Sequence, residues 1–365
     1  MPIQISKPTM GKNECNAVIK VLRSGNLAQG KMVEKFENNF AKYVGVKYAV
    51  ATNSGTAALH AALASLDLKP GDEVVTTPFS FVASANAILY CSAKPVFADI
   101  DATDYNINPE SIEKVITKKT RAILVVHLYG QPAQMDKILK IAKKHNLYLI
   151  EDACQAHGAK YRNIKVGGLG DMGCFSFYPT KNMTTGEGGI VTTNNEAFYN
   201  KLKKFRNHGQ KARYYQDSLG YNYRMTEINA AIGIEQLRKL DIFNKKRQEN
   251  AKYLISKLNS LPGIAVPKIF PERFCVFHQF TIRILSGSKL SREKVQKMLE
   301  KSGVSYGIYY PVIIPAQDYY QKLGYTKNSP VSEMLSNEVL SIPVGPHLTK
   351  TDLKIIINVF KDASK

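Results

Sequence analysis

Short apolar strands alternate with helical segments between residues 48 and 151, and this alternation constrains the fold more than any other feature of the sequence. The pattern predicts strands near Tyr48–Thr52, Glu73–Thr76, Pro95–Asp99, Arg121–His127 and Leu147–Glu151. It predicts helices near Thr56–Leu66, Val82–Tyr90, Pro109–Ile116 and Met135–His145. Such alternation is typical of an α/β fold, with a largely parallel sheet covered by helices on both faces, and the strand ends at one edge then converge on a single site.

One lysine, Lys181, follows a short apolar run in the segment FSFYPTKNMTTGEGG (residues 175–189). An ordinary surface lysine is the first interpretation in a chain with 50 lysines and arginines. The glycines of GEGG, however, allow the loop to approach a ligand closely. A lysine held there can be desolvated, which frees its amine to attack a carbonyl, as Schiff-base lysines do. The segment therefore suggests a pyridoxal 5'-phosphate site.

Such a site needs a carboxylate to pair with a protonated pyridine nitrogen. In NLYLIEDACQAHG (residues 146–158) an apolar run ends in Glu151 and Asp152, as a buried strand does when it opens into a site. Two carboxylates at a strand end are also common as solvated polar residues. Neighbouring strand side chains point to opposite faces, so only one of the two can face a cofactor, and Asp152 is our candidate.

The site also needs a place for the phosphate. In ATNSGTAALHAAL (residues 51–63) a strand ends, a Ser-Gly-Thr turn follows and an alanine-rich helix begins. Free N–H groups at such a helix start attract an anion, with Gly55 allowing close approach and Thr56 adding a hydroxyl. The same pattern is also a common N-cap without a ligand.

Seven segments, in chain order, resemble the DegT/StrS-type sugar-nucleotide aminotransferases, which are fold-type I pyridoxal phosphate enzymes. They are NSGTAALHAAL, PGDEVVTTPFSFVASANAI, VHLYGQPAQMD, EDACQAHGA, FSFYPTKN, GEGG and LGYNYRM. The resemblance implies an aspartate-aminotransferase-like large domain, here residues 1–240, and a smaller C-terminal α/β domain, here residues 241–365. Lys181 would be the Schiff-base lysine and Asp152 the partner of the pyridine nitrogen.

The resemblance also assigns roles to matching positions around the cofactor. Phe81 would stack on the pyridoxal ring, although a core phenylalanine is an equally ordinary interpretation of that residue alone. Gln155 would contact the ring hydroxyl region and Ser176 the phosphate. His278 and Tyr310 are candidates for contacts with the sugar nucleotide, and core or interface positions are the plainer alternative for both.

Two further segments are expected to contribute to the active site, one of them from the other subunit of a homodimer. The resemblance implies that Asn222, in GYNYRM, reaches the cofactor phosphate of the neighbouring subunit, so that each active site is shared. It also implies that the loop SGNLAQGK (residues 24–31) lies at the mouth of the active site.

The remaining elements are less regular. We expect helices near Gly11–Arg23, Glu196–Arg206, Thr226–Lys239, Asp241–Leu258, Arg292–Lys301 and Lys350–Phe360. We expect strands near Gly173–Phe177, Ile190–Thr193, Gln279–Ile284 and Tyr306–Tyr309.

The predicted reaction is transfer of an amino group from an amino acid, L-glutamate by resemblance, to a nucleotide-linked keto-sugar in amino-sugar and polysaccharide biosynthesis. GYNYRMTEINAAIG resembles perosamine-type enzymes that act at C4, whereas VHLYGQPAQMD resembles enzymes that act at C3. We favour a 4-keto-6-deoxy sugar and keep a 3-keto sugar as the alternative. A related sugar dehydratase is a second alternative, but that branch of the family carries histidine where this chain has Lys181.

The net charge of +20 raises nucleic-acid binding or a regulatory role as a different class of function. The lysines, however, are spread along helices such as DKILKIAKKHN rather than gathered in a tail, and a positive field suits a nucleotide diphosphate substrate equally well. The five cysteines form no CxxC pair, and we expect neither a disulfide framework nor a metal site. Without a signal-like or membrane-length apolar run, the sequence predicts a cytoplasmic protein.

Overall fold

The computed structural model describes residues 2–364. Its helices are α1 (Lys12–Ser24), α2 (Lys31–Val44), α3 (Gly55–Ala64), α4 (Ala83–Tyr90), α5 (Pro109–Val115), α6 (Met135–Lys144), α7 (Glu196–Phe205), α8 (Glu227–Leu258), α9 (Arg292–Lys301), α10 (Asp318–Lys322), α11 (Pro330–Glu338) and α12 (Lys350–Ala363). Its longer strands and short ladders are β1 (Tyr48–Thr52), β2 (Glu73–Thr76), β3 (Lys94–Phe97), β4 (Thr120–Val126), β5 (Tyr148–Asp152), β6 (Lys160–Tyr161), β7 (Ile164–Lys165), β8 (Met172–Ser176), β9 (Gly189–Thr193), β10 (Gln210–Ala212), β11 (Tyr215–Gln216), β12 (Ile264–Ala265), β13 (Arg273–Phe274), β14 (Phe280–Ile284) and β15 (Val339–Ile342).

The central sheet has seven strands in the order β1-β9-β8-β5-β4-β2-β3. Six of them run in the same direction, and β9 alone is antiparallel to both of its neighbours. The prediction of a mostly parallel sheet is therefore confirmed. Since six strands share a direction, their carboxyl ends meet at one edge, where a ligand site is expected.

Apolar clusters cover both faces of this sheet, as buried parallel strands require. On one face, α3, α4 and α7 enclose Leu59, Leu63 and Ile88. On the other, Phe36 and Phe40 of α2 pack in edge-to-face contacts against Phe175 and Phe177 beside β8. These contacts fix the segment that precedes Lys181.

A buried ion pair joins three elements beside the start of α3. Glu37 of α2 accepts the N–H of Ala51 in β1 at 2.7 Å and also pairs with Arg206, which follows α7. Arg206 donates in turn to the carbonyl of Ala51 at 2.8 Å. Charged side chains from α2 and from the segment after α7 therefore hold β1, the strand that leads into the Ser-Gly-Thr turn.

The C-terminal part contains a three-stranded sheet, β12-β14-β15, whose apolar side chains pack with those of α9, α12 and the end of α8. The two helices expected at Thr226–Lys239 and Asp241–Leu258 are a single helix, α8, so separating them was wrong. No proline interrupts this stretch, and the change of composition near residue 240 does not stop helical hydrogen bonding. The proposed domain boundary at residues 240/241 consequently falls inside α8.

Two other expectations need correction. Tyr306–Tyr309 is not a strand, since only Gly307 forms an isolated bridge there, with Ser341. Helix α2 was not predicted, although Val33, Phe36, Phe40 and Val44 recur at helical spacing and are buried. Among residues 2–364, no helix is both long enough and apolar enough to cross a membrane.

Candidate active site

A cavity of about 620 Å³ opens at the carboxyl edge of the central sheet, with Lys181 in its wall. Nine of the ten predicted site residues line it: Gly55, Thr56, Phe81, Asp152, Gln155, Ser176, Lys181, His278 and Tyr310. The tenth, Asn222, is exposed and is not part of this lining. The structure thus brings together side chains that are up to 255 residues apart in sequence, from Gly55 to Tyr310.

The topology explains this convergence. Gly55 follows β1, Phe81 follows β2, Asp152 ends β5 and Ser176 ends β8, and these four strands run in the same direction. The turn after Ser176 then carries Lys181, whose N–H donates to the carbonyl of Tyr178 at 2.9 Å. One edge of the sheet therefore supplies most of the site.

Lys181 lies in surroundings that disfavour its charged form. Burial lowers the pKa of its amine below the ordinary value of 10.5, while the nearby Cys154 thiol and Asp152 carboxylate act in the opposite direction. A neutral amine is a nucleophile and a base, whereas an ammonium group is neither. Burial therefore increases the fraction of this lysine that is in the reactive form.

The neighbouring carboxylates Glu151 and Asp152 point to opposite sides of β5, as strand geometry requires. Glu151 is fully buried away from the cavity and accepts N–H bonds at 2.7–2.8 Å from residues 167, 169 and 170. It also accepts a hydrogen bond from His127 Nε2 at 2.9 Å. Asp152 faces the cavity, where Ser84 Oγ donates to it at 2.7 Å.

The start of α3 also lines the cavity. Ser54 caps the helix by accepting the N–H of Ala57 at 3.1 Å, so the side chain of Ser54 does not use the N–H groups of Gly55 and Thr56. Gly55 lies directly against Ser176, because a Cβ on Gly55 would come within 2.6 Å of the Ser176 Cβ. The helix start and the serine hydroxyl therefore meet at one point, where they can hold a phosphate.

Gln155 and Tyr310 connect the large sheet to the C-terminal part. The side-chain carbonyl of Gln155 accepts the N–H of Tyr129 at 2.9 Å, and its amide group donates to the Tyr310 hydroxyl at 3.2 Å. Since an amide group carries two protons, Gln155 keeps one donor for a ligand. Phe81, beside Tyr310, lies in the cavity wall with its centroid 6.5 Å from that of Tyr310.

His278 is buried at the edge of the cavity and is neutral. Burial lowers the pKa of its ring well below 6.5, and the charge of Arg247, together with that of Lys181 in its protonated form, adds to this effect. Asn182 donates to Asn244 Oδ1 and to the carbonyl of Val276, so its own oxygen accepts the Nδ1 proton of His278 at 3.3 Å. The Nε2 atom is then left as a hydrogen-bond acceptor.

Sequence reasoning missed several lining residues, among them Ser80, Ser84, Tyr178, Glu187 and Gln279. The signal for Ser84 was available, because it follows a predicted strand and opens a predicted helix in TTPFSFVAS. Its partner Asp152, however, is 68 residues away in sequence. Among residues 2–364, no group of three or more His, Cys, Asp or Glu side chains could hold a metal ion.

The loop at residues 24–31 does not line the Lys181 cavity of the same chain. It borders a separate groove of about 1210 Å³, together with parts of α1, α2 and α8. Glu227 fixes the end of this loop by accepting the N–H groups of Gly30, Met32 and Val33, each at 2.9 Å.

The model of the DegT/DnrJ/EryC1/StrS aminotransferase family matches residues 8–361. The chain belongs to this family. The sequence resemblance and the predicted aminotransferase class are therefore confirmed.

Relatives and a solved structure agree with this assignment over nearly the whole chain. GDP-perosamine synthase of Caulobacter vibrioides is 38% identical over 361 residues, which cover 97% of this chain and 96% of that protein. The UDP-N-acetyl-3-dehydro-α-D-glucosamine 3-aminotransferase of Acidithiobacillus ferrooxidans is 38% identical over 343 residues, covering 94% and 91%. A sugar aminotransferase of Streptococcus pneumoniae, solved in its pyridoxal phosphate form, superposes with a TM-score of 0.94 at 26% identity and covers 100% and 99%.

These comparisons confirm the fold-type I architecture and place the chain among the sugar-nucleotide aminotransferases. The predicted cofactor, pyridoxal phosphate, is the cofactor of this DegT/DnrJ/EryC1/StrS family, and the cavity around Lys181 has the groups it needs.

Proposed function

We propose that this family member transfers an amino group from L-glutamate to a nucleotide-linked 4-keto-6-deoxy sugar, with pyridoxal phosphate held on Lys181. The observation that carries the proposal is the placement of the Lys181 amine and the Asp152 carboxylate in one cavity that the start of α3 also lines. A lysine of lowered pKa, a buried carboxylate and an anion site are the three groups that this cofactor requires.

Each residue has a proposed place around the cofactor. The N–H groups of Gly55 and Thr56 and the Ser176 hydroxyl hold the phosphate, and Asp152 pairs with the pyridine nitrogen. Phe81 covers one face of the ring, and the free amide proton of Gln155 reaches the ring hydroxyl. When bound, pyridoxal phosphate supplies an electron-accepting ring and carries the amino group between the two substrates.

Lys181 moves the protons. Once the amine of the amino acid had replaced Lys181 on the cofactor, the freed Lys181 Nζ would be able to take up the proton that leaves the α-carbon, and burial increases the neutral fraction of this amine. It then returns a proton to the sugar carbon that receives the amino group.

The sugar nucleotide is proposed to bind on the side of the cavity formed by His278 and Tyr310. Neutral His278 offers an acceptor to a sugar hydroxyl, and the Tyr310 hydroxyl, which accepts from Gln155, keeps its own proton for donation. A hydrogen-bonding surface of this kind suits a sugar better than an apolar amino acid.

A second subunit is proposed to complete the site. Asn222 and the loop at residues 24–31 do not line the cavity of their own chain. The segment of residues 210–219, which precedes Asn222 and contains the hairpin β10–β11, exposes Tyr214, Tyr215 and Leu219 by 74–77%. Exposed aromatic and apolar side chains of this kind are typical of protein interfaces, and a two-fold dimer would place them against the neighbouring subunit.

Two relatives that are equally identical to this chain are named for different sugar nucleotides, so experiment decides which carbon of the sugar is aminated. The alternative is a 3-keto sugar, favoured by the 3-aminotransferase among the relatives. The test is an assay with L-glutamate and a panel of nucleotide-linked 3-keto and 4-keto sugars. Turnover of a 4-keto-6-deoxy sugar above all others supports the proposal, whereas preference for a 3-keto sugar replaces it with the alternative. Turnover with other amino donors but not with glutamate would refute the proposed donor.

A further inference from the structure

The carboxylate of Asp152 is anchored by hydrogen bonds and not by a cation. Its Oδ2 atom accepts from Ser84 Oγ at 2.7 Å, and its Oδ1 atom accepts the N–H of Cys154 at 3.2 Å. Within residues 2–364, Asp152 forms no ion pair with a lysine, arginine or histidine side chain at salt-bridge distance. Its charge is therefore available to a cationic group that enters the cavity.

The hydroxyl of Ser84 is itself oriented by a second serine. Ser80 Oγ and Ser84 Oγ lie 3.1 Å apart, and both residues are buried. A hydroxyl has a single proton, and the carboxylate takes the one on Ser84. Ser80 must then be the donor to Ser84, so the hydrogen bonds run in one direction, from Ser80 to Ser84 to Asp152, and each bond polarises the next.

This serine chain flanks the proposed cofactor ring. Ser80 and Ser84 lie on either side of Phe81 in sequence, and all three line the cavity. The same short stretch, from the end of β2 into the first turn of α4, therefore provides the aromatic wall and the anchor of the carboxylate. A carboxylate held by Cys154 alone could rotate about its terminal torsion, which is broad for aspartate.

We propose that Ser84 is a positioning residue, which orients Asp152 toward the pyridine nitrogen of the cofactor, with Ser80 in support. The inference rests on the proposed function, in which Asp152 pairs with that nitrogen. Ser84 acts through Asp152 and does not itself touch the cofactor. Its hydroxyl fixes the Oδ2 atom, so that the carboxylate meets the ring in one orientation.

The experiment measures the dissociation constant of pyridoxal phosphate by titrating the full-length apoenzyme and following the absorbance of the bound cofactor. Ser84→Ala should weaken binding by roughly ten-fold, the usual effect of losing one hydrogen bond to a charged group. Ser84→Thr keeps the hydroxyl and should restore binding to near the wild-type value. Ser80→Ala should have a smaller effect than Ser84→Ala, because it removes only the support.

Two comparisons separate positioning from simple packing. Ser65→Ala removes another buried hydroxyl, which donates to the carbonyl of Ala61 at 2.7 Å, and should leave cofactor binding unchanged. In an Asp152→Asn background, Ser84→Ala should have much less effect than in the wild type, because the charge it orients is gone. The pH titration of the bound cofactor's absorbance should also shift in Ser84→Ala and return in Ser84→Thr.

Unchanged affinity in Ser84→Ala, or an equal effect with and without the Asp152 charge, would overturn the inference. If Ser84→Ala fails to fold, the comparison of Ser84→Thr and Ser80→Ala with the wild type still decides it, because positioning requires normal binding in the first and weakened binding in the second. Failure of the proposed function is distinguishable, since the wild-type apoenzyme would then bind no pyridoxal phosphate on Lys181 at all.

Discussion

The adjacent carboxylates Glu151 and Asp152 allow a direct test of the site, because they have different roles. Glu151 accepts hydrogen bonds inside the protein, whereas Asp152 faces the cavity. Changing either one to its amide is a small alteration at neighbouring positions of one strand. Glu151→Gln should lower the stability of the protein and affect the transamination rate only indirectly. Asp152→Asn should leave the apoenzyme nearly as stable and lower the transamination rate by orders of magnitude, because the ring nitrogen loses its charged partner.

The size of the Glu151 effect follows from its partners. Its two oxygens accept three backbone N–H groups and the Nε2 proton of His127, whose Nδ1 atom is already occupied by the N–H of Ala133 at 3.1 Å. If the amide oxygen of glutamine faces Leu169 and Gly170, its NH₂ group must face two other donors. Each buried donor without an acceptor costs about 1–3 kcal/mol, so the free energy of unfolding should fall by roughly 2–6 kcal/mol.

Thermal unfolding of the two apoenzymes is the assay, with turnover of the holoenzymes measured in parallel. A loss of this size should lower the melting temperature of Glu151→Gln on the order of 3–8 °C. Asp152→Asn should stay within a few degrees of the wild type. The reasoning is refuted if Glu151→Gln unfolds like the wild type, or if Asp152→Asn keeps near-normal turnover.

Three further predictions concern other parts of the site. Gly55→Ala would place a methyl group 2.6 Å from the Ser176 Cβ. The affinity for the cofactor, measured by titration, should therefore fall by roughly ten-fold or more. Unchanged affinity would contradict the close contact. Because burial lowers the pKa of Lys181 below 10.5, the folded apoenzyme binds fewer protons at this residue than the unfolded chain does. In denaturant unfolding, Lys181→Met should therefore be more stable than the wild type, by a margin that grows as the pH falls from 10.5 and shrinks as the pH rises. The opposite trend would exclude a buried amine. Mixing inactive Lys181→Ala protein with Asn222→Ala protein should recover activity after subunit exchange, since one site of the mixed dimer then carries neither defect, and no recovery despite verified exchange would rule out shared sites.

Much of the site could be predicted because it follows strand ends. The alternating pattern between residues 48 and 151 fixes which segments meet at the carboxyl edge, and the glycine-rich loop marks Lys181 as unusual. The opposite orientation of Glu151 and Asp152 follows from strand geometry alone, although that geometry does not say which of the two faces the cavity.

Other features depend on contacts that no local pattern encodes. A run of five buried residues such as β9 has the same kind of sequence whether the strand is parallel or antiparallel to its neighbours. The reversed direction of β9 was therefore not predictable. The bond from Ser84 to Asp152 joins residues far apart in sequence. Helix α8 was divided because its charge pattern changes near residue 240, yet Lys239 pairs with Glu14 of α1 at 2.6 Å and the helix runs on without a break.

Lys181 is proposed to carry the cofactor of this sugar-nucleotide aminotransferase. The most direct measurement is reduction of the wild-type protein with borohydride in the presence of pyridoxal phosphate, followed by peptide mapping, with Lys181→Ala as the control. The structure predicts a pyridoxyl group on Lys181 of the wild type and on no residue of the variant. A pyridoxyl group on a different lysine, or none at all with cofactor supplied, would contradict this account.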